Sequence, residues 1–257
     1  MVTTEKEARA VLEAAGVENA AFDAHILFEE GGDLDALVKA RAAGEPLQYL
    51  VREWEFFGLP MKMRPGVLIA RADTEVLVEQ ALKMAREREV RSFLELGCGS
   101  GAVSIALKKY LPAARAEALD LNPAACALTR ENAARNGVDL CVIEGDLFEM
   151  SLQGPFDLIL SNPPYLTEQE MGELSREVRK EPASALFGGA DGLDFYRFIL
   201  PQYFPLLAPG GALLFEVGDA QAAAVAALME KQGAAAIETT KDYAGIPRVV
   251  ACRKGTL

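Results

Sequence analysis

A proline-flanked asparagine followed by an aromatic ring, Ser161-Asn162-Pro163-Pro164-Tyr165-Leu166, is the stretch of this chain best suited to chemistry. It follows a short apolar run, residues 156–160, that reads as a strand. Proline has no backbone N–H, and Pro164 biases Pro163 towards extended backbone. The loop is therefore stiff, and its carbonyls are not used up by helix or ladder bonds. It offers two acceptors, the Asn162 amide oxygen and the Pro163 carbonyl, with the Tyr165 ring beside them. That set suits a planar –NH2 group: one acceptor for each hydrogen and an aromatic face to pack on. An amide or aromatic amine is a poor nucleophile because its lone pair is delocalised. Acceptors on both hydrogens favour the pyramidal form, whose lone pair can attack. Asn-Pro-Pro is equally compatible with a plain turn after a strand, so the rest of the chain has to decide.

The elements that position this loop alternate from Ser92 onward. Residues 93–96 form a short buried strand, and Gly97-Cys98-Gly99-Ser100-Gly101 is a glycine loop opening a helix. Residues 116–120 form a second strand; Asn122 caps and Pro123 starts the next helix, which ends at Gly137. A third strand over 140–143 precedes Gly145-Asp146, and the strand before Asn162 is the fourth. A helix near 194–207, a strand over 212–217 after Gly210-Gly211, a helix over 220–231 and strands near 236–239 and 248–252 complete the chain. This alternation predicts an α/β fold: a mostly parallel sheet covered on both faces.

Upstream the period changes. Residues 1–50 read as three short helices, ended by Gly16, Gly31-Gly32 and Gly44. Trp54 and Phe56 alternate with Glu53 and Glu55, and Gly58-Leu59-Pro60 is a turn signal, so a β-hairpin is predicted with Trp54, Phe56 and Phe57 as its apolar face. Asp73 or Thr74 is placed to cap the helix after it. The expected organisation is a helical subdomain over 1–50, a hairpin linker over 51–72 and one larger domain over 73–257. The helical part reads equally as a stabilising cap or as a partner-recognition module.

Composition narrows the function classes. The net charge is −12, with no Lys/Arg cluster that acids do not interrupt, whereas nucleic-acid binders usually present a basic face. A protein or small-molecule substrate is favoured, and no direct nucleic-acid contact is expected. Four scattered cysteines and a single histidine, His25, make no metal-ligand spacing, so no metal is expected. The charged N-terminus lacks a secretion signal, and no run of about 20 apolar residues is present. A monomeric cytoplasmic protein, away from membranes, is expected.

In an open α/β sheet, ligands sit at the carboxyl ends of the strands. Three groups fall there: the glycine loop, Asp120 and residues 162–165. Asp120 lies nineteen residues past Gly101, where an acid accepts hydrogen bonds from ribose hydroxyls. A nucleoside cofactor is implied. The spacing is Gly-x-Gly-x-Gly, not the dinucleotide fingerprint, and no Walker lysine follows. Glu95-Leu96-Gly97-Cys98-Gly99-Ser100-Gly101 resembles motif I of the class I S-adenosyl-L-methionine (AdoMet)-dependent methyltransferases. That resemblance implies a Rossmann-like seven-stranded sheet. It also implies a cofactor set of Glu95, Gly97, Cys98, Gly99, Ser100, Gly101, Asp120, Leu121, Asp146 and Leu147, with Asn162 alongside.

AdoMet binding with Asn-Pro-Pro-Tyr resembles the methyltransferases that act on amino groups of adenine, guanine or glutamine. The flanks select among them. Residues 44–50 (Gly-Glu-Pro-Leu-Gln-Tyr-Leu), 54–60 (Trp-Glu-Phe-Phe-Gly-Leu-Pro), 65–69 and Asp73-Thr74-Glu75 are similar to the protein-(glutamine-N5) methyltransferases of peptide chain release factors. So are Glu181-Pro182, Ala185-Leu186, Gly192-Leu193 and Asp242-Tyr243 with Gly245, Arg248 and Val249. The likeness runs from about residue 44 to 252. It implies methylation of the glutamine in a release factor's Gly-Gly-Gln motif, with Asn162, Pro163 and Tyr165 catalytic and Pro164 completing the substrate site. Two departures stand out. Ala70 and Ala72 replace the family's prolines, which predicts a looser loop, and the N-terminal helical part is shorter than usual. The competing readings are a nucleic-acid amino-methyltransferase and a non-catalytic AdoMet-binding protein.

Overall fold

In the computed structural model, which describes residues 1–256, the chain opens with four helices: α1 (Glu5–Ala14), α2 (Ala20–Glu30), α3 (Leu34–Ala42) and α4 (Leu47–Val51). Thr4 and Glu7 form a reciprocal capping box at α1. Ala8, Leu12, Ala24, Leu27 and Val38 are fully buried in a core of their own. The three helices expected here are one short. α4 is five residues long, too short to declare a period, and Arg52 ends it in the left-handed region at φ 59°.

The hairpin follows as β1 (Glu53–Phe56) and β2 (Leu59–Lys62), paired antiparallel. Phe57 and Gly58 both have positive φ, the turn that matches strand twist. Phe56 is buried and Trp54 half-buried, while Phe57 sits in the turn itself. A 3-10 turn (Ala72–Thr74) then leads into α5 (Glu75–Glu87). The expected cap is corrected here: the Thr74 side chain makes no capping bond. Asp73 instead pairs with Arg248 at 3.3 Å, and Thr74 faces Asn162.

From Ser92 the order is β3 (Ser92–Leu96), α6 (Ala102–Tyr110), β4 (Arg115–Asp120), α7 (Pro123–Asn136), β5 (Cys141–Glu144) and β6 (Phe156–Ser161). After α8 (Glu168–Glu173) come α9 (Asp194–Tyr203), β7 (Leu207–Glu216), α10 (Ala222–Lys231), β8 (Ala235–Lys241) and β9 (Pro247–Arg253). Seven strands pair in the order β5-β4-β3-β6-β7-β9-β8; β9 alone runs opposite to the other six. Alternate residues of the central strands enter opposite cores. Phe93, Leu158 and Leu214 pack with α5 and α6, whereas Leu94, Ile159 and Leu213 pack with α9 and α10. Such two-sided burial suits parallel strands.

β7 starts five residues earlier than the strand expected at 212. Leu207 pairs with Phe156, and the register shifts before Leu158 meets Ala212, so residues 208–211 ride through as an irregularity. The chain winds outward from β3 to β5, then returns to place β6 on the other side of β3. That reversal opens a crevice between the carboxyl ends of β3 and β6. The segment after Asn162 carries α8 and two 3-10 turns (Val178–Lys180 and Ala183–Ala185) that no pattern in the sequence had indicated. It returns to the N-terminal helices through Arg41, which reaches Asp23 at 2.6 Å and Glu177 at 2.9 Å. Among the described residues, no helix is long and apolar enough to cross a membrane.

Candidate active site

β3 delivers the glycine loop to the crevice. The Gly97 and Cys98 N–H groups donate to the Leu119 carbonyl at 2.8 and 3.0 Å, binding the loop to the end of β4. At Gly101, φ is +78° and an added Cβ would lie 2.6 Å from Thr129 Cγ2. Only glycine satisfies both conditions. Thr129 of α7 steadies the loop by donating to the Gly99 carbonyl at 3.0 Å.

Asp120 ends β4. Its Oδ2 accepts from the Gly99 N–H and its Oδ1 from the Asn122 N–H, both at 2.8 Å. A carboxylate oxygen has two lone-pair sites, so each oxygen can still accept from a ligand. Burial raises this carboxyl's pKa, and the two N–H groups oppose the shift. Asp146, after β5, accepts from the Phe148 N–H at 2.8 Å. The Leu147 carbonyl beside it takes the Tyr203 hydroxyl at 2.7 Å.

Glu95 lies beneath the loop. Its Oε2 receives the Ser104 N–H at 2.9 Å and the Ser104 hydroxyl, fixing the first turn of α6. Burial pushes its pKa up to about 8, against those bonds.

At the end of β6 the Ser161 hydroxyl donates to the Leu96 carbonyl at 2.7 Å, which locks the two strand ends together. Asn162 Nδ2 donates to Thr74 Oγ1 at 3.3 Å, and no described residue donates to Asn162 Oδ1. The stretch beyond is clamped. Gln221 Nε2 donates to the Tyr165 carbonyl at 2.8 Å, and Leu166 exchanges backbone bonds with Leu186 and Gly188. Gly188 approaches so closely that a Cβ there would sit 2.6 Å from the Pro164 carbonyl oxygen. Burial pushes the Tyr165 hydroxyl to about 12, so it stays protonated.

Three cavities meet at Asn162. The largest, about 270 Å³, runs from the glycine loop past Asp120 and Asp146 to Asn162, Pro163 and Pro164. A small one of about 50 Å³ lies over Glu95, Cys98 and Ser100. A third, about 150 Å³, opens beside Arg71, Tyr165, Leu166 and Val178. Asn162 and Leu68 border all three. Of the residues predicted from sequence, Gly97, Gly99, Asp120, Leu121, Asp146, Leu147, Asn162, Pro163 and Pro164 line the largest. Glu95, Cys98 and Ser100 line the smallest and Tyr165 the third; Gly101 lines none and serves the start of α6.

The largest of these three cavities contains two acids, Asp120 and Asp146, and no lysine or arginine in its walls. Such a lining suits a phosphate-free, positively charged nucleoside better than a nucleotide. Among the described residues, no group of His, Cys, Asp and Glu could hold a metal ion.

The family model described as "Methyltransferase small domain" matches residues 65–189. The chain is 44% identical over 235 residues to the release factor glutamine methyltransferase of Geobacter sulfurreducens, covering 91% of this chain and 82% of that one. It is 39% identical over 269 residues to the one of Deinococcus radiodurans, covering 96% of each. The chain belongs to the release factor glutamine methyltransferase family. Two solved structures share its class I methyltransferase fold. A methyltransferase from Pyrococcus furiosus has a TM-score of 0.58 at 21% identity, covering 78% of this chain and 91% of that one. The hMettl16 catalytic domain has 0.64 at 15%, covering 86% and 82%.

Several residues around the site of this release factor glutamine methyltransferase family member had no role assigned from sequence. Glu181, buried, receives the Ile69 N–H at 3.0 Å and an ion pair from Arg71. Arg248 gathers Asp242 at 3.1 Å with Asp73 and Asp219, both at 3.3 Å. Ile69, Asp73, Glu181, Asp242 and Arg248 lie in the motifs that carried the resemblance, whereas Arg71 and Asp219 do not; the Glu181 and Arg248 contacts brace the loop before α5 where prolines are absent. Glu216 and Gln221 belonged to no motif. Glu216 ends β7, and the strand-end rule applied to that strand would have found it.

Proposed function

We propose that this chain transfers a methyl group from S-adenosyl-L-methionine to the side-chain amide nitrogen of a glutamine, the one in the Gly-Gly-Gln motif of peptide chain release factors. One observation carries the reading: the nucleoside-sized cavity and the cavity beside Tyr165 share Asn162, whose amide oxygen no described residue engages. The cofactor, when bound, supplies an activated methyl on a sulfonium.

Asp120 takes the ribose hydroxyls, Asp146 the adenine edge, and Leu121 and Leu147 the apolar faces of the adenosine. The loop from Gly97 to Ser100, with Glu95 beneath it, holds the methionyl end. The target glutamine enters along Tyr165 and Leu166. Asn162 Oδ1 and the Pro163 carbonyl each accept one amide hydrogen, Pro164 keeps that backbone rigid, and Tyr165 packs on the amide plane. Orientation and electrostatics supply the rate enhancement. The extra proton on nitrogen leaves to water after transfer, so no strong base is required.

The helices over 1–50 form the natural docking body for the release factor, joined by the hairpin over 51–72 to the catalytic domain over 73–257. Incubation with labelled cofactor and either a release factor or RNA tests the substrate class. Label on the release factor's glutamine supports the reading; label on RNA amino groups contradicts it. A cofactor-binding protein without catalysis would label neither.

A further inference from the structure

Asn132, late in α7, is fully buried, as is Thr129 before it, and Asn136 is nearly so. The three share one face of the helix. Buried polar groups cost stability unless they are paired, and an apolar residue forms helix more readily than Asn. The partners of Asn132 show what the cost is for. We propose that Asn132 is a positioning residue for the glycine loop, and that the hairpin is the anchor it works from. This rests on the AdoMet-binding reading above.

The geometry is specific. In a regular α-helix the Ser104 N–H would donate to the Ser100 carbonyl, four residues back. Here it donates to Glu95 Oε2 at 2.9 Å, so the Ser100 carbonyl lacks its helical partner at the start of α6. Asn132 Nδ2 takes that place, donating to the carbonyl at 2.9 Å. The other bonds of the carboxamide go to β2. Oδ1 accepts from the Lys62 N–H at 2.7 Å, and Nδ2 also donates to the Lys62 carbonyl at 3.1 Å. One side chain therefore pairs with Lys62 as a neighbouring strand would, on the edge of the hairpin that β1 leaves open. The partners also fix which end of the carboxamide faces which way, since an N–H only donates and a carbonyl only accepts. Lys62 orients Asn132, and Asn132 holds Ser100. With Cys98 and Gly99, Ser100 lines the small cavity over Glu95, where the proposed site holds the methionyl end. Asn136, one turn on, serves the hairpin without the loop: its Nδ2 donates to the Pro60 carbonyl at 3.0 Å. The hairpin is thus a support of the cofactor site as well as a linker.

Three variants of the intact protein test this. Asn132→Asp keeps the acceptor for Lys62 and loses both donated bonds; AdoMet affinity by calorimetry falls about tenfold or more. Asn132→Leu, near-isosteric and suited to a helix core, loses as much. Asn136→Ala separates stability from positioning: it lowers Tm and leaves AdoMet affinity within twofold. Hydrogen exchange without ligand gives an independent reading. The Lys62 amide is protected in the wild type and exchanges freely in Asn132→Leu. The Gly101 amide, bonded to the Cys98 carbonyl at 2.7 Å, exchanges faster in both Asn132 variants. Failure of the wild type to bind AdoMet overturns the proposed function, and the two amides then decide whether Asn132 holds the loop. AdoMet affinity within twofold in both Asn132 variants, an equal loss in Asn136→Ala, or an unprotected Lys62 amide in the wild type overturns the inference.

Discussion

Asn162 has little else to do in the fold. One end of its carboxamide is tied to Thr74 and the other is free, so truncation removes little packing. Asn162→Ala is expected to lower kcat at least a hundredfold while calorimetry finds AdoMet affinity unchanged; near-normal turnover would remove the residue from the mechanism. Asp120→Ala acts on the other term. It should weaken AdoMet binding tenfold or more, about 1.4 kcal/mol, because the proposed site uses Asp120 for the ribose hydroxyls and Asp120 also holds Gly99. Unchanged affinity would take Asp120 out of the site. Two buried carboxyls also set a pH dependence of stability. Glu95 titrates near about 8 and Glu216 near about 7, both above the ordinary 4.5. Between about pH 5 and 8 the folded chain keeps protons that the unfolded chain has released, so stability falls as pH rises. For Glu216 the span is at most on the order of 3 kcal/mol. Urea midpoints at pH 5.5 and 8 read this directly, and Glu216→Gln should shrink the difference; an unchanged difference contradicts its burial as the cause.

The glycine loop and the proline loop are the elements that make the site, and each is held from behind. Gly101→Ala is expected to cost about 2–4 kcal/mol, since it adds a left-handed alanine and a clash with Thr129. A Tm drop of several degrees accompanies it; an unchanged Tm contradicts the clash. These loops were legible in the sequence because their signals are local. Glycine and proline dictate backbone geometry within a few residues, and Asn122 with Pro123 marks a helix start whatever lies around it. The braces were not legible. Thr74 sits where a helix cap belongs, and only the fold reveals that its partner is Asn162, 88 residues away. Glu216 reads as an ordinary strand-end acid until β7 is placed beside β6. The segment from Leu166 to Gly192 lacks periodicity because its backbone bonds close short turns of one or two steps, such as Glu181 to Val178 and Leu186 to Ala183, and its two ends meet where Leu166 bonds Leu186 and Gly188. Its short helices were missed for that reason.

At the scale of the whole molecule, the N-terminal helices are tied to the segment that follows the proline loop. Arg41, buried, bridges Asp23 and Glu177, and Arg176 donates to the Ala15 carbonyl at 2.9 Å. Arg41→Ala leaves the Asp23 carboxylate buried and unpaired, a loss of about 3–5 kcal/mol. The helices should then loosen against the wall of the cavity beside Tyr165 and Val178. Raised KM for an intact release factor is expected, with AdoMet affinity unchanged; equal KM would separate these helices from docking. The central claim of the proposed function is that a methyl donor held in the cavity of the glycine loop meets its acceptor at Asn162. Mass spectrometry of a release factor incubated with this protein and AdoMet tests it most directly. The account predicts one added methyl on the side-chain nitrogen of the Gly-Gly-Gln glutamine with the wild type and none with Asn162→Ala. A methyl on any other residue, or equal methylation by the variant, would contradict it.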